Sequence, residues 1–470
     1  MTTILVLGDL SGRTSRGEHD PGSVRERRRY LVDRDDLERR LGDLGVKIRL
    51  QSGESMMIQE VEDLEPDRVM SALPSFAELR SLRARLQDPK TFQQAAAELK
   101  ASMVGEVGAD LRSVETAGSE DAPSGIAIPD DLLSAAMEAT AERSALPLQG
   151  DGRAFAESLA REAVAPFMEP RADPRLPELV AAVDLAISAH LRSVLHDPAF
   201  RAIEGAWLGL VRLVRGVETG VDLKIQVLDA SPDELRSLSE AGGVPPLGDG
   251  GEGAAPDLVV CLHRFGATAR DADFFAGLLG RVSTTGGLLV ADGSPRLNGS
   301  GEERVDPDPE VWADERDAEA RSRWAAIAGG AGAGQGALVV NRTAARMPFG
   351  PRGTVIDSFD FDELESGTRA DCPWGYGALA VAHLYGRLAA DAGAPPEELS
   401  ARARLDRQPL ILLEEAGEVT QVPSVEVELG DRAVALLAKA GLTALRCERG
   451  ADQVTVGPVI GLDGGVLRRR

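Results

Sequence analysis

Residues 166–238 read PFMEPRADPRLPELVAAVDLAISAHLRSVLHDPAFRAIEGAWLGLVRLVRGVETGVDLKIQVLDASPDELRSL. After Asp173-Pro174, the residues Leu179, Val180, Val183, Ile187, Leu191 and Val194 fall on one stripe at helical spacing, which predicts a helix with one buried face. Asp197 followed by Pro198 predicts a capped second helix, because proline at the first turn lacks only an N–H that has no partner there anyway. Phe200, Ile203, Trp207, Leu210, Val211 and Val214 form its apolar face, and Gly216 suits its end. Trp207 lies on that stripe and reads as core. Leu223, Ile225 and Val227 alternate as a strand does, and Ser231-Pro232-Asp233-Glu234 is a capping-box start for another helix. The order is helix, helix, strand, helix.

The stretch resembles the large subunit of the contractile sheath of type VI secretion systems (VipB/TssC). The residues that carry the resemblance are Asp197-Pro198, Phe200, Glu204, Trp207, Gly209-Leu210 and Leu213-Val214, followed by ETGVDLKIQVLDAS.

Working outward, the N-terminal run Ile4, Leu5, Val6 and Leu7 is wholly apolar and ends at Gly8-Asp9, as a strand buried on both faces would. After a basic, loop-like stretch from Arg25 to Arg29, residues 32–50 predict a helix carrying Leu37, Leu41 and Leu44. Gly45 separates it from a strand at Val46, Ile48 and Leu50. Ser75 with Glu78 predicts a capping box, Leu79, Leu82 and Leu86 supply a face, and Asp88-Pro89 starts a further helix. These residues resemble the small sheath subunit (VipA/TssB), with Arg13, Asp33, Arg34, Asp35, Pro66 and Asp67 where its pattern has them. Leu10 and Leu37 replace aromatic residues of that pattern.

Residues 104–129, rich in Gly, Ala, Ser, Asp and Glu, predict a linker. Asp130 to Ala145 predicts a helix with Leu132, Leu133, Ala136, Met137 and Thr140 on one face. In the large-subunit family the corresponding helix is gripped by a hexameric AAA+ disassembly ATPase, so the resemblance implies that role for Leu132, Leu133 and Met137. Packing on its own domain is the alternative.

Beyond the opening stretch, Ala241 to Pro256 predicts an exposed loop. The apolar runs Leu258–His263, Gly287–Asp292 and Ala337–Arg342 alternate with helical segments at DADFFAGLLGRVS and Trp312 to Ala328, which argues for a parallel α/β sheet. NRTAARMPFG, TVIDSFDFDEL and DCPWGYGALAVAHLYGRLA continue the large-subunit resemblance, although Pro373-Trp374-Gly375 departs from its pattern. The segment from Ser424 reads as strand, helix, strand, and the chain then stops where large subunits carry a further C-terminal extension.

The formal net charge of −24 disfavours contact with nucleic-acid backbone or an anionic membrane. Cys261, Cys372 and Cys447 are too dispersed for a disulfide framework or zinc ligation, implying a reducing compartment. No apolar run approaches the roughly 20 residues of a spanning helix, and the N-terminus lacks the form of a signal peptide; the expected location is cytoplasmic.

Reactive constellations are weak. The glycine run Gly329–Gly336 follows a helix and precedes a strand, the reverse of a phosphate-binding loop, and reads as a flexible connector. Cys261 and His263 share one side of a strand without an orienting partner, and read as core. His190 and His196 lie off one helical face. Asp357, Asp360, Asp362, Glu363 and Glu365 alternate with Phe359 and Phe361 as the solvated face of an edge segment.

The expected fold is therefore α/β: sheath-type domains with a mostly parallel sheet flanked by helices, plus a small N-terminal α+β sheath module. The expected parts are a small-subunit-like domain (1–103), a linker (104–129), an N-terminal helical segment of the large-subunit-like part (130–165) and a large-subunit-like α/β domain lacking the C-terminal extension (166–470). The resemblance implies a non-enzymatic, fused sheath subunit of a type VI secretion or related contractile injection apparatus. It would assemble into rings or tubes around an inner tube protein, contact a baseplate and the AAA+ ATPase, and use no cofactor or metal. Ile4, Leu5, Val6 and Leu7 are the candidate inter-subunit strand. A sheath-like accessory, cap or baseplate module that does not contract is the alternative.

Overall fold

The computed structural model describes residues 1–101, 173–243, 247, 255–300, 304–365, 368–415, 418–448 and 450–469. In chain order these residues form β1 (Thr2–Gly8), α1 (Arg13–Arg16), β2 (Tyr30–Val32), α2 (Leu37–Leu44), β3 (Lys47–Arg49), β4 (Ser55–Met57), α3 (Pro66–Ala72) and α4 (Ser75–Gln87). There follow α5 (Leu176–Leu195), α6 (Pro198–Gly216), β5 (Leu223–Asp229), α7 (Pro232–Glu240), β6 (Leu258–Phe265), α8 (Ala269–Thr284), β7 (Leu288–Gly293), α9 (Ala318–Ala328) and β8 (Gly336–Val340). The last elements are α10 (Gly377–Ala392), β9 (Ala403–Leu405), β10 (Ile411–Glu415), β11 (Glu418–Val422), α11 (Asp431–Lys439), β12 (Leu442–Ala444), β13 (Arg446–Cys447) and β14 (Val454–Val456).

The chain divides into two compact units: Met1–Ala77 with Ala186–Arg470, and Glu78–Leu185. The first is built on a seven-stranded sheet of order β12-β8-β7-β6-β1-β5-β2. All neighbouring pairs are parallel except β2 with β5. The N-terminal strand thus lies inside the sheet. It runs from Thr2↔Leu223 to Gly8↔Asp229 beside β5, and from Ile4↔Leu258 to Leu7↔Cys261 beside β6. Ile4, Leu5, Val6 and Leu7 are fully buried, each contributing roughly 1.5–3 kcal/mol of apolar burial.

One face of the sheet carries Leu5, Leu7, Leu228, Val259, Cys261, Leu289 and Leu338 against Phe274, Phe275 and Leu278 of α8 and Leu235 of α7. Against the strands also lies α10, which packs on α6. That helix pair is close because Gly209 faces Leu379: a Cβ there would come within 2.4 Å of the Leu379 side chain.

In the second unit, residues 78–101 and 173–185 are described. Arg83 pairs with Asp184 at 2.5 Å and Arg85 with Glu98 at 2.5 Å, while Arg175 lies over the Phe92 ring at 5.9 Å. The expected linker at 104–129 and the helical segment at 130–165, including Leu132, Leu133 and Met137, lie outside the described residues. So does most of the loop expected at 241–256.

Many local expectations match. Asp197 accepts from Ala199 N and Phe200 N, and Ser231 and Glu234 form the reciprocal capping box. The units, however, divide differently from the expected segments: residues 1–77 share a unit with 186–470. The reason is the sheet, which takes β1 and β2 as two of its strands.

Local signals were overridden where a tertiary partner competed. Ser75 is the first helical residue of α4; its N–H donates to Glu54 Oε1 at 3.0 Å and its hydroxyl meets His190 Nε2 at 2.7 Å. The helix expected from Trp312 begins only at Ala318, where Asp317 caps by accepting from Ala320 N. The strand expected from Ser424 is reduced to a bridge, Thr343↔Val425, and its backbone is held by a side chain instead: Asn341 donates to Val427 O and accepts from Val427 N. The glycine run is not a loose connector. Its carbonyls at Ala333, Gly334 and Gly336 accept from Leu462 N and Arg468 N.

Candidate functional site

The residues before Ala77 and those after Ala186 meet along a seam at the carboxyl ends of β1 and β5. In a parallel α/β sheet, ligands bind outside the carboxyl ends of the strands where the strand order reverses. Here β1 is that point: the next parallel strand, β5, lies on one side of it and β6 on the other.

The turn after β1 is wound by Asp9, whose carboxylate accepts from Gly12 N (2.7 Å), Arg13 N (2.8 Å) and Thr14 N (2.7 Å). Gly12 sits at φ +82°, and a Cβ there would lie 2.4 Å from Lys47 O, so only glycine fits without strain. Beside it, Asp229 at the end of β5 accepts from Leu10 N (2.8 Å), Ser11 N (2.9 Å), the Ser11 hydroxyl (2.8 Å) and Arg13 Nε (2.8 Å). These amides form the kind of concavity that elsewhere holds a phosphate. In this chain two of its own carboxylates hold them, so the geometry ties segments together and leaves the amides satisfied.

A second layer reinforces the tie. Glu234, with a fully buried side chain, binds Arg27 through Nη1 (2.8 Å) and Nη2 (2.7 Å) and accepts from Asp20 N at 2.9 Å. Burial alone would raise its pKa, but the bonds from Arg27 and from the Ser231 and Asp20 amides outweigh it and hold the carboxyl down at about 2. Trp207 Nε1 donates to Leu10 O at 2.9 Å, and Gln51 N donates to Asp197 Oδ2 at 2.7 Å. The helix cap that the sequence revealed therefore also anchors the β3–β4 hairpin.

The large-subunit-like segment has its own buried ionic centre. Arg346 donates through Nε to Glu204 (2.7 Å) and through both Nη atoms to Glu363 (2.6 and 2.9 Å). Burial pushes the Glu204 carboxyl up, against the pull of Arg346. Glu363 was expected on a solvated face; it is 1% exposed, because the Arg346 fork and Phe349 N (2.8 Å) give its carboxylate partners inside. Asp362 and Glu365 pair with Arg352 and Arg192.

The residues weighed for chemistry lie apart. Cys261 is fully buried and its thiol is pushed up to about 12, first by burial and then by Asp292. His263 Nε2 is 3.5 Å from Asp271. Asp292 caps α10 by accepting from Ala378 N (2.7 Å) and Gly377 N (3.2 Å), and burial raises it to about 6 despite those bonds. Among the described residues, no group of three or more His, Cys, Asp or Glu side chains is placed to hold a metal ion, and no single helix is long and apolar enough to cross a membrane.

Asp229 and Arg346 escaped sequence reasoning as seam and core residues, and Glu234 was legible only as part of the Ser231–Glu234 capping box, not as the buried partner of Arg27. Arg13 stood at a motif position of the small-subunit pattern, but an arginine does not announce its partner.

Residues 2–107 match the family model described as "Type VI secretion system, VipA, VC_A0107 or Hcp2", and residues 177–242 match the model "EvpB/VC_A0108, tail sheath N-terminal domain". A curated relative, "Type VI secretion system sheath protein TssC1" of Pseudomonas aeruginosa, is 23% identical over 299 residues. That alignment covers 58% of this chain and 58% of the relative.

Proposed function

We propose that this chain, in which a segment similar to VipA precedes one similar to VipB, is a fused structural subunit of a type VI secretion or related contractile apparatus. It acts by assembly rather than by catalysis, forming rings or tubes around an inner tube protein and engaging a baseplate. The observation that carries this reading is the position of β1: the VipA-like segment supplies an interior strand of the sheet to which the VipB-like segment contributes β5. Two segments that share one hydrogen-bonded sheet move as one body, which suits a subunit that must transmit force between neighbours.

Ile4, Leu5, Val6 and Leu7 have sheet neighbours on both sides within the chain. As an inter-subunit strand they would serve only through an exchange in which one copy's β1 fills another copy's sheet. Recognition of the 130–145 segment by a disassembly ATPase, through Leu132, Leu133 and Met137, is part of the same proposal.

Negative-stain electron microscopy of the purified chain, alone and mixed with an inner-tube protein from the same locus, tests the reading. Striated tubes are the expected result. Particles that stay monomeric in both preparations would replace it with the accessory or cap role.

A further inference from the structure

A small cavity of about 20 Å³ lies between α6 and α10, with the turn after β8 as its third wall. Gly205, Gly209 and Arg212 come from the first helix, Leu379 and His383 from the second, and Thr343 from the turn. A single water needs roughly 10–15 Å³, so the space takes one water or one monatomic ion.

The charge at this cavity is one-sided. Arg212 donates through Nη1 to Ala344 O at 3.1 Å and through Nη2 to Ala345 O at 2.7 Å, so two neutral carbonyls receive it and no carboxylate does. Burial draws its guanidinium down to about 10, and no acidic group acts on it. His383 meets Gly216 O through Nε2 at 3.1 Å. Its pKa is lowered first by burial and then by Arg387 and Arg212, again with no carboxylate opposing them. A cation taken out of water without a counter-charge is costly, which is why buried arginines are ordinarily paired.

Two donors remain at the wall. Arg212 Nε and the Thr343 hydroxyl make no hydrogen bond among the described residues, and neither is one of the sealed polar atoms there that lack a partner, so both border accessible space. A water would satisfy those donors and leave the charge unanswered, whereas an anion answers both. Phosphate, sulfate and carboxylates, each of several heavy atoms, exceed the volume.

We propose that this cavity is a halide site, occupied by chloride: one ion accepts from Arg212 Nε and the Thr343 hydroxyl and supplies the counter-charge that the fold omits. The net charge of −24 repels anions from the surface at large, so chloride binding by this chain has to come from a local, unpaired cation such as Arg212. The inference is independent of the assembly reading.

The test is the ³⁵Cl NMR linewidth of the full chain in chloride at roughly 0.1 M, near the dissociation constant that a one-atom ligand can reach. Exchange with a bound ion broadens the signal. The excess width should fall as bromide is added at fixed ionic strength, while acetate, too large for the cavity, should leave it unchanged. Arg212→Met should reduce the excess about tenfold and Thr343→Val about threefold. Circular dichroism shows whether each variant is folded; if Arg212→Met is not, Thr343→Val, at a hydroxyl that bonds nothing else among the described residues, carries the test. No excess width, an excess that acetate displaces as well as bromide does, or one that the folded variants retain in full overturns the proposal and leaves an ordered water as the occupant.

Discussion

Arg13 Nε donates to Asp229 Oδ2 at 2.8 Å across 216 residues of sequence. The same carboxylate gathers Leu10 N, Ser11 N and the Ser11 hydroxyl, so Asp229 is the acceptor that ties the turn after β1 to the end of β5. Arg13→Ala removes one charged bond and should cost about 1–3 kcal/mol. Asp229→Ala leaves two buried amides, a hydroxyl and a guanidinium unmatched and should cost more, about 3–5 kcal/mol. Urea unfolding of both variants checks the order, and an equal loss would mean that the carboxylate matters only as the partner of Arg13.

Removing Met1–Leu10 takes an interior strand out of the sheet and exposes the edges of both β5 and β6. The expected product is an insoluble chain without a cooperative transition. Size-exclusion chromatography and circular dichroism give the answer; a folded monomer would mean that another strand can close the gap.

Arg346 is the only cation bonded to both Glu204 and Glu363 among the described residues. Arg346→Leu strands two buried carboxylates and should lose about 3–5 kcal/mol at pH 7. The loss should shrink toward pH 5, because Glu204, already pushed up by burial, protonates more readily once the cation is gone. Urea midpoints at the two pH values measure this.

Asp292 is raised from the usual 3.8 to about 6, chiefly by burial. A carboxyl with a raised folded-state pKa opposes folding when ionised, so stability falls as pH climbs through about 4 to 6 and is then constant. The full effect is on the order of 3 kcal/mol. Asp292→Asn keeps the acceptor for Ala378 N and should flatten that slope, as thermal melts from pH 4 to 7 would reveal.

Glu234 has the opposite sign. Its folded-state pKa, held at about 2 by Arg27 and two amides against the effect of burial, means its contribution is fully present above the unfolded value near 4.5 and disappears as pH falls toward 2. Glu234→Gln should remove that acid-limb contribution while leaving the slope between pH 5 and 7 unchanged, again by thermal melts.

The sequence by itself determined the local elements and the family likeness. Asp197-Pro198, the Ser231–Glu234 box, the apolar stripe through Trp207 and the fully apolar run Ile4–Leu7 each act over a few residues, so their periodicity and capping chemistry were legible without a fold. It also indicated that β1 would be buried on both faces, since no polar residue interrupts that run. What only the tertiary structure decided was who shares a sheet with whom. Strand neighbours are joined by backbone bonds that carry no residue identity, so nothing in ILVL names β5 and β6 as its partners. Ion pairs such as Arg13 with Asp229, or Arg346 with Glu204 and Glu363, likewise join positions whose closeness exists only once the chain has folded. Glu363 illustrates the difference: alternating charge and aromatic residues placed it in solvent, and a single arginine 17 residues away in sequence made its burial the lower-energy arrangement.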